Sequence, residues 1–129
     1  MANQFVVELK NEPGGLATLA EALAERGIDL RAIGGGGIGD TGHIIMTTAD
    51  DDGARAVLEA GGYTFIEGES ILTEVDDRPG GMARLSRELA DAGVNIYGHL
   101  FLGRWGDRAM FAFVVDDADR ARPILERKA

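Results

Sequence analysis

The sequence has no cysteine, which excludes disulfides, thiolate nucleophiles and cysteine-ligated zinc. Histidine is nearly as scarce, and His43 and His99 with the few serines leave little material for acid–base or nucleophilic catalysis. Positive charge is short as well: 13 lysines and arginines face 22 acids, a net charge of −9 with two neutral histidines. That balance opposes nucleic acid and anionic membranes as partners, since both need a basic face. No apolar run approaches the roughly 20 residues of a membrane span, and the first residues lack the basic segment of a leader peptide. The expectation is a cytoplasmic protein. Three prolines and one tryptophan complete the short side of the composition.

Glycine is the abundant residue, and it is concentrated. Arg31 to Gly42 reads R-A-I-G-G-G-G-I-G-D-T-G, with six glycines in nine residues, and Gly34, Gly36 and Gly39 spell G-x-G-x-x-G. A dinucleotide loop needs a strand before it and a helix after it, so that the pyrophosphate rests on the helix start. Here the apolar, β-branched run His43 to Thr48 follows, which predicts a strand. A nucleotide loop is therefore set aside.

The chain contains a phrase written twice. Asn11-Glu12-Pro13-Gly14-Gly15-Leu16-Ala17-Thr18-Leu19 returns as Asp77-Arg78-Pro79-Gly80-Gly81-Met82-Ala83-Arg84-Leu85, at an offset of 66, and eight of the twenty positions from 11 to 30 are identical to their counterparts. Each copy opens with an alternating strand, Phe5/Val7/Leu9 or Ile71/Thr73/Val75. A helix follows with Leu16, Leu19 and Leu23, or Met82, Leu85 and Leu89, on one stripe. Gly27 and Gly93 end these helices. A second strand is predicted from Ile28 or Val94, and a third over His43 to Thr48 or Ala109 to Val115. Second helices are predicted from about Asp51 to Ala60 and Asp117 to Arg127, with Pro123 giving a kink or a late start. Tyr63 to Glu67 supplies a fourth strand.

The order βαββαβ predicts an α+β fold of two ferredoxin-like units with antiparallel sheets, residues 1–68 and 69–129. The second unit lacks its last strand. A homodimer that covers the free edge is one account, and an artificially shortened chain is the other. At the 66-residue offset, Gly34 to Gly37 align with Leu100 to Gly103, which predicts a loose strand end and hairpin facing the other repeat.

Pro-Gly-Gly at a helix mouth presents backbone amides to a small carboxylate or phosphate, and it also simply makes a tight turn. The string x-x-P-G-x-L/M-x-x-L…G-[I/V]-[D/N]-[L/I] resembles the ACT domain, a regulatory module of amino-acid metabolism, and the chain resembles free-standing tandem ACT proteins. The resemblance implies an allosteric, non-enzymatic sensor that binds a small amino acid between two units paired through their second strands, with no cofactor. A separate regulated enzyme or regulator is the implied partner. It places Asn11 opposite Asn95, and Asp77 opposite Asp29. The favoured site is Asn11, the amides of Gly14, Gly15 and Leu16, and Asn95, because amides both donate and accept. Gly80, Gly81 and Met82 are the counterparts in the second copy. The histidine that one branch carries four before the proline is Leu9 or Val75 here.

Three rivals follow from other residues. A small metabolic enzyme would draw on Ser70, Ser86, His43 and His99, none of them in a nucleophile motif. A metal or metabolite site is suggested by Asp50-Asp51-Asp52 and by Asp116, Asp117 and Asp119, which fall where they cap second helices. RNA binding is suggested by Phe111-Ala112-Phe113-Val114, but the charge and the missing aromatics on Ile71 to Val75 assign these rings to core and interface. Trp105 beside Gly106-Asp107 is expected at an exposed turn.

Overall fold

Alternating strand patterns and three-to-four spaced helix stripes form the elements that their periods require. The computed structural model describes residues 3–127, which divide between Gly68 and Glu69 into two compact units. The first unit runs β1 (Asn3–Lys10), α1 (Gly15–Glu25), β2 (Leu30–Ile38), β3 (Thr41–Thr48), α2 (Asp51–Ala60) and β4 (Phe65–Glu69). The second runs β5 (Ile71–Asp76), α3 (Gly81–Asp91), β6 (Ile96–Trp105), β7 (Arg108–Val115) and α4 (Ala118–Leu125). Strand order is β2-β3-β1-β4 in one sheet and β5-β7-β6 in the other, with the central pairings antiparallel. These are ferredoxin-like α+β units. Among the described residues the second has no strand in the place of β4, and β5 is a sheet edge.

Each unit has its own core. Phe5 and Val7 of β1 meet Leu19 and Leu23 of α1, Met46 and Leu58, all but excluded from solvent. Ile71, Val75, Leu85, Leu89, Phe113 and Leu125 form the second core. Full burial of such side chains stabilises by roughly 1.5–3 kcal/mol each. Thr73 replaces an apolar residue on the β5 inner face because its buried hydroxyl donates to the Leu125 carbonyl at the end of α4. Phe111 packs against the second core beside Phe113 rather than on an open sheet face, which leaves no RNA-stacking platform there.

Several boundaries differ from the sequence expectation. β2 and β6 begin two residues after Ile28 and Val94, and β4 is shifted to Phe65–Glu69. Gly27 and Gly93 hold the left-handed conformation just past α1 and α3, as expected. Pro123 neither delays α4 to its own position nor ends it there: the helix starts on an Asp117 cap that accepts from the Arg120 amide, and it contains the proline. In α2 the matching cap is Asp50, which accepts from Gly53 at 2.9 Å.

The glycine stretch is a strand, not a loose end. Gly34 to Gly37 pair with Ile45, Ile44, His43 and Gly42 of β3 in unbroken register. The ladder to β3 supplies the order that glycine lacks by itself. The repeat offset also changes along the chain. Ile33↔Met46 corresponds to His99↔Phe113, and Gly35↔Ile44 to Phe101↔Phe111; then a bulge between Phe101 and Gly103 inserts Leu102. Beyond it the counterparts are 67 apart, so Gly37 matches Arg104 and His43 matches Met110.

Candidate functional site

The Pro-Gly-Gly phrase folds as a type II turn into a helix. Gly15 donates its amide to the Glu12 carbonyl at 3.3 Å, with Pro13 and Gly14 between them, and Gly81 does the same to Arg78 at 3.1 Å. Proline presets the first central position, and the second needs positive φ: Gly14 sits at φ 90°, ψ −6°, and Gly80 at φ 92°, ψ −12°. The next glycine is needed for clearance, since a Cβ on Gly15 would lie 3.1 Å from the Lys10 carbonyl and one on Gly81 would collide with that of Asp76. The structural role of the phrase is thus real. It also bears on the amides: the Gly15 and Gly81 N–H groups close turns, a correction to the expectation that the Gly15 amide faces a ligand. Thr18 bonds to Gly14, so the Leu16 and Ala17 amides remain the open donors of α1 among the described residues.

A cleft of about 470 Å³ lies between this helix mouth and β2. Its apolar walls are Leu9, Leu16, Ile33 and Ile44, and its β2 side is the backbone of Gly34 to Gly37. Asn11 stands at its end. The Asn11 side-chain N–H donates to the Gly39 carbonyl at 2.9 Å, and its own amide donates to Asp40 at 2.9 Å, so it ties the β2–β3 hairpin to the turn. Gly37 lies close beside it: a Cβ there would approach the Asn11 side chain to 2.6 Å and push it aside. Leu16, the first residue of its helix stripe, is 49% exposed here rather than buried with Leu19 and Leu23. On the other side of the turn a polar cleft of about 510 Å³ is lined by Glu8, Lys10, Glu12, Asp40 and Tyr63 among others. Its carboxylates outnumber its single ammonium, which disfavours an acid ligand there.

The second unit has bulkier side chains at the corresponding place, and a smaller cleft of about 370 Å³ remains there. Phe101, where the first unit has Gly35, packs edge-on against Phe111 at 5.5 Å. Arg104, where the first has Gly37, lies 4.7 Å over the Phe101 ring and donates to Asp77 at 2.8 Å. Asp77 is therefore an ion-paired carboxylate. The sequence alignment hid this partner, because the uniform offset set Arg104 against Ile38.

Of the predicted site residues, Asn11, Gly15 and Leu16 line the first unit's cleft, while Gly14 faces the polar one. Asp77 and Met82 line the second unit's counterpart, and Gly80 and Gly81 shape its turn. Asp29 is exposed and 3.4 Å from Arg31. Asn95 is exposed, and its backbone is clasped by Asp116, whose carboxylate and amide bond it at 2.9 and 3.0 Å. Ile33, Ile44, Gly35 and Arg104 were missed. Half-exposed apolar residues in strands carry no sequence signal distinguishing a cleft wall from a core, although the Gly35/Phe101 contrast between copies was visible.

The rival chemistries gain nothing from the geometry. His43 and His99 are exposed in separate units, and the Ser86 hydroxyl bonds back to Met82 within α3 at 2.8 Å. Among the described residues no group of three or more acids or histidines could hold a metal ion. Among the described residues no helix is long and apolar enough to cross a membrane. An ion pair on β4 is structural: Arg55, also bonded by Asp52, joins Glu67 at 2.6 and 2.7 Å. That guanidinium, helped by Asn3, holds the Glu67 carboxyl below its usual range.

Residues 4–60 match the family model of the ACT domain. The match runs from β1 to the end of α2 in the first unit, short of β4. The fold is similar to that of a protein from Bacteroides thetaiotaomicron, at 22% identity and a TM-score of 0.71, covering 97% of this chain and 86% of that one. It is also similar to the regulatory subunit of aspartate kinase from Thermus thermophilus, at 23% identity and TM-score 0.62, over 97% of this chain and 89% of that one. The same subunit from Thermus flavus gives 20% identity and TM-score 0.65, over 98% and 92%. Comparison with curated proteins finds no match.

Proposed function

We propose that the protein is a non-catalytic regulatory sensor that binds a free amino acid in the first unit's cleft. The observation that carries this reading is the cleft itself: in an ACT domain, at the mouth of α1, β2 has glycine where the second unit has Phe101 and Arg104. The open amides at the start of α1 suit the ligand's carboxylate. Asn11, with one amide hydrogen committed to Gly39, keeps an acceptor for the ammonium. Structural likeness to two aspartate kinase regulatory subunits supports a regulatory role. Asn95 enters the site through the pairing of second strands that the family resemblance implies. The same reading gives a second copy as partner, covering the β5 edge, and a separate enzyme or regulator as the target in the cytoplasm. Binding regulates only if it favours one arrangement over another.

The test is thermal unfolding against the twenty amino acids. A ligand at about 100 times its dissociation constant adds roughly 2.7 kcal/mol, a rise of several degrees. Stabilisation by an amino acid that Asn95→Ala abolishes supports the paired site. Stabilisation that survives Asn95→Ala confines the site to the first unit, and no stabilisation by any amino acid rejects the sensor.

A further inference from the structure

We infer that the ligand of the first unit's cleft is an amino acid with a large apolar side chain, which lies where the second unit places the ring of Phe101. The inference rests on the amino-acid reading above and adds the side-chain class to it. The two units provide the comparison. In the second, the half-exposed Phe101 ring of β6 packs edge-on against Phe111 of β7, beside a remaining cleft of about 370 Å³. In the first, the residue matching Phe101 is Gly35 and the one matching Phe111 is Ile44. The wall on which a ring would rest is kept, and the ring is gone.

Most of what surrounds that space is apolar or glycine backbone, with Lys10, Glu12 and His43 also on its lining. Leu9, Leu16, Ile33 and Ile44 line it, Leu16 and Ile33 each about half exposed, at 49% and 46%. At about 470 Å³ the cleft falls within the roughly 300–1,000 Å³ typical of ligand sites. Serine or glycine would leave the four apolar walls wet, whereas leucine or phenylalanine would cover them, with a gain proportional to the area removed from water. Gly37 stands where the second unit has Arg104, and the cleft's one lysine, Lys10, is matched by Glu12 on the same lining, so an acidic side chain gains no net attraction there. Gly35 is fixed by the strand itself: a Cβ there would collide with the His43 carbonyl.

Calorimetric titration of the full chain with L-phenylalanine, L-leucine, L-serine and L-aspartate tests this. Phenylalanine or leucine is expected to bind at least about tenfold more tightly than serine or aspartate, the scale of discrimination by apolar pockets. Leu16→Glu sets a carboxylate on a half-exposed wall at little cost to folding. Ile44→Phe installs the ring-bearing wall of the second unit. It is expected to keep or tighten phenylalanine binding, whereas Leu16→Glu is expected to weaken apolar binding by about tenfold or more, with the unfolding transition of Leu16→Glu retained as the check on folding. Tighter binding of serine or aspartate overturns the side-chain class while leaving the sensor standing. Apolar binding indifferent to Leu16→Glu overturns the location. Binding of none of the four overturns this inference, and the sensor reading then falls or stands on the remaining sixteen amino acids.

Discussion

Alanine at Gly80 and Gly81 separates two reasons for glycine in one turn. Gly80 lies at φ 92° and ψ −12°, and a Cβ added there meets nothing within 4 Å, so Gly80→Ala tests backbone conformation alone. Holding alanine in the left-handed region costs roughly 1–2 kcal/mol, and the stiffer unfolded chain offsets about 0.4–1 of it. The net loss is about 1 kcal/mol. Gly81→Ala keeps an ordinary helical φ and gains up to about 1 kcal/mol of helix propensity. Its Cβ, however, collides with the Asp76 carbonyl, and such overpacking costs about 1–3 kcal/mol. Gly15→Ala has the same propensity gain with its Cβ 3.1 Å from Lys10, so it should be close to neutral. Urea denaturation followed by far-UV circular dichroism, with Trp105 emission reporting the second unit, reads these changes. With a slope of about 1 kcal/mol per molar, Gly80→Ala should lower the second unit's midpoint by about 1 M. An unchanged midpoint would refute the type II turn and the account of the repeated phrase built on it.

Other perturbations have defined outcomes. Asp50→Ala removes the acceptor of the Gly53 amide and should cost about 1 kcal/mol in thermal unfolding of the first unit. Arg104→Ala breaks an exposed pair with Asp77 and should cost less than about 1 kcal/mol, an effect that shrinks further in high salt. Glu67 ionises more readily when folded, chiefly through the hydrogen bond from Arg55, against an ordinary value of 4.5. Its contribution is therefore full above the unfolded value and is lost as pH falls through the lower folded value. Glu67→Gln should flatten that acid limb of a stability–pH profile while leaving its alkaline side unchanged in slope.

Much of the fold could be read from the chain, for identifiable reasons. β1 and β5 alternate, the stripes of α1 and α3 repeat at helical spacing, and Asp50 and Asp117 mark the second helices by the amides they cap. Gly34 to Gly37 resisted the same reading because their strand is specified by β3, across the ladder, and not by their own side chains. Leu102 misled the alignment for a related reason: a bulge adds a residue without altering the apolar pattern on either side. On the lining of the first unit's cleft, Asn11 and Leu16 were picked out by the motif. Arg104 was not, since one extra residue moved it onto the wrong counterpart, and with it the neutralisation of Asp77 was lost.

The most direct measurement is an amide-resolved NMR titration of the full chain with the amino acid that raises its unfolding temperature most. The account predicts the largest shifts at Leu16, Ala17 and Gly34 to Gly37, with Met82, Phe101 and Arg104 changing less. Shifts centred on Met82 and Arg104, or absent from Gly34 to Gly37, would contradict it.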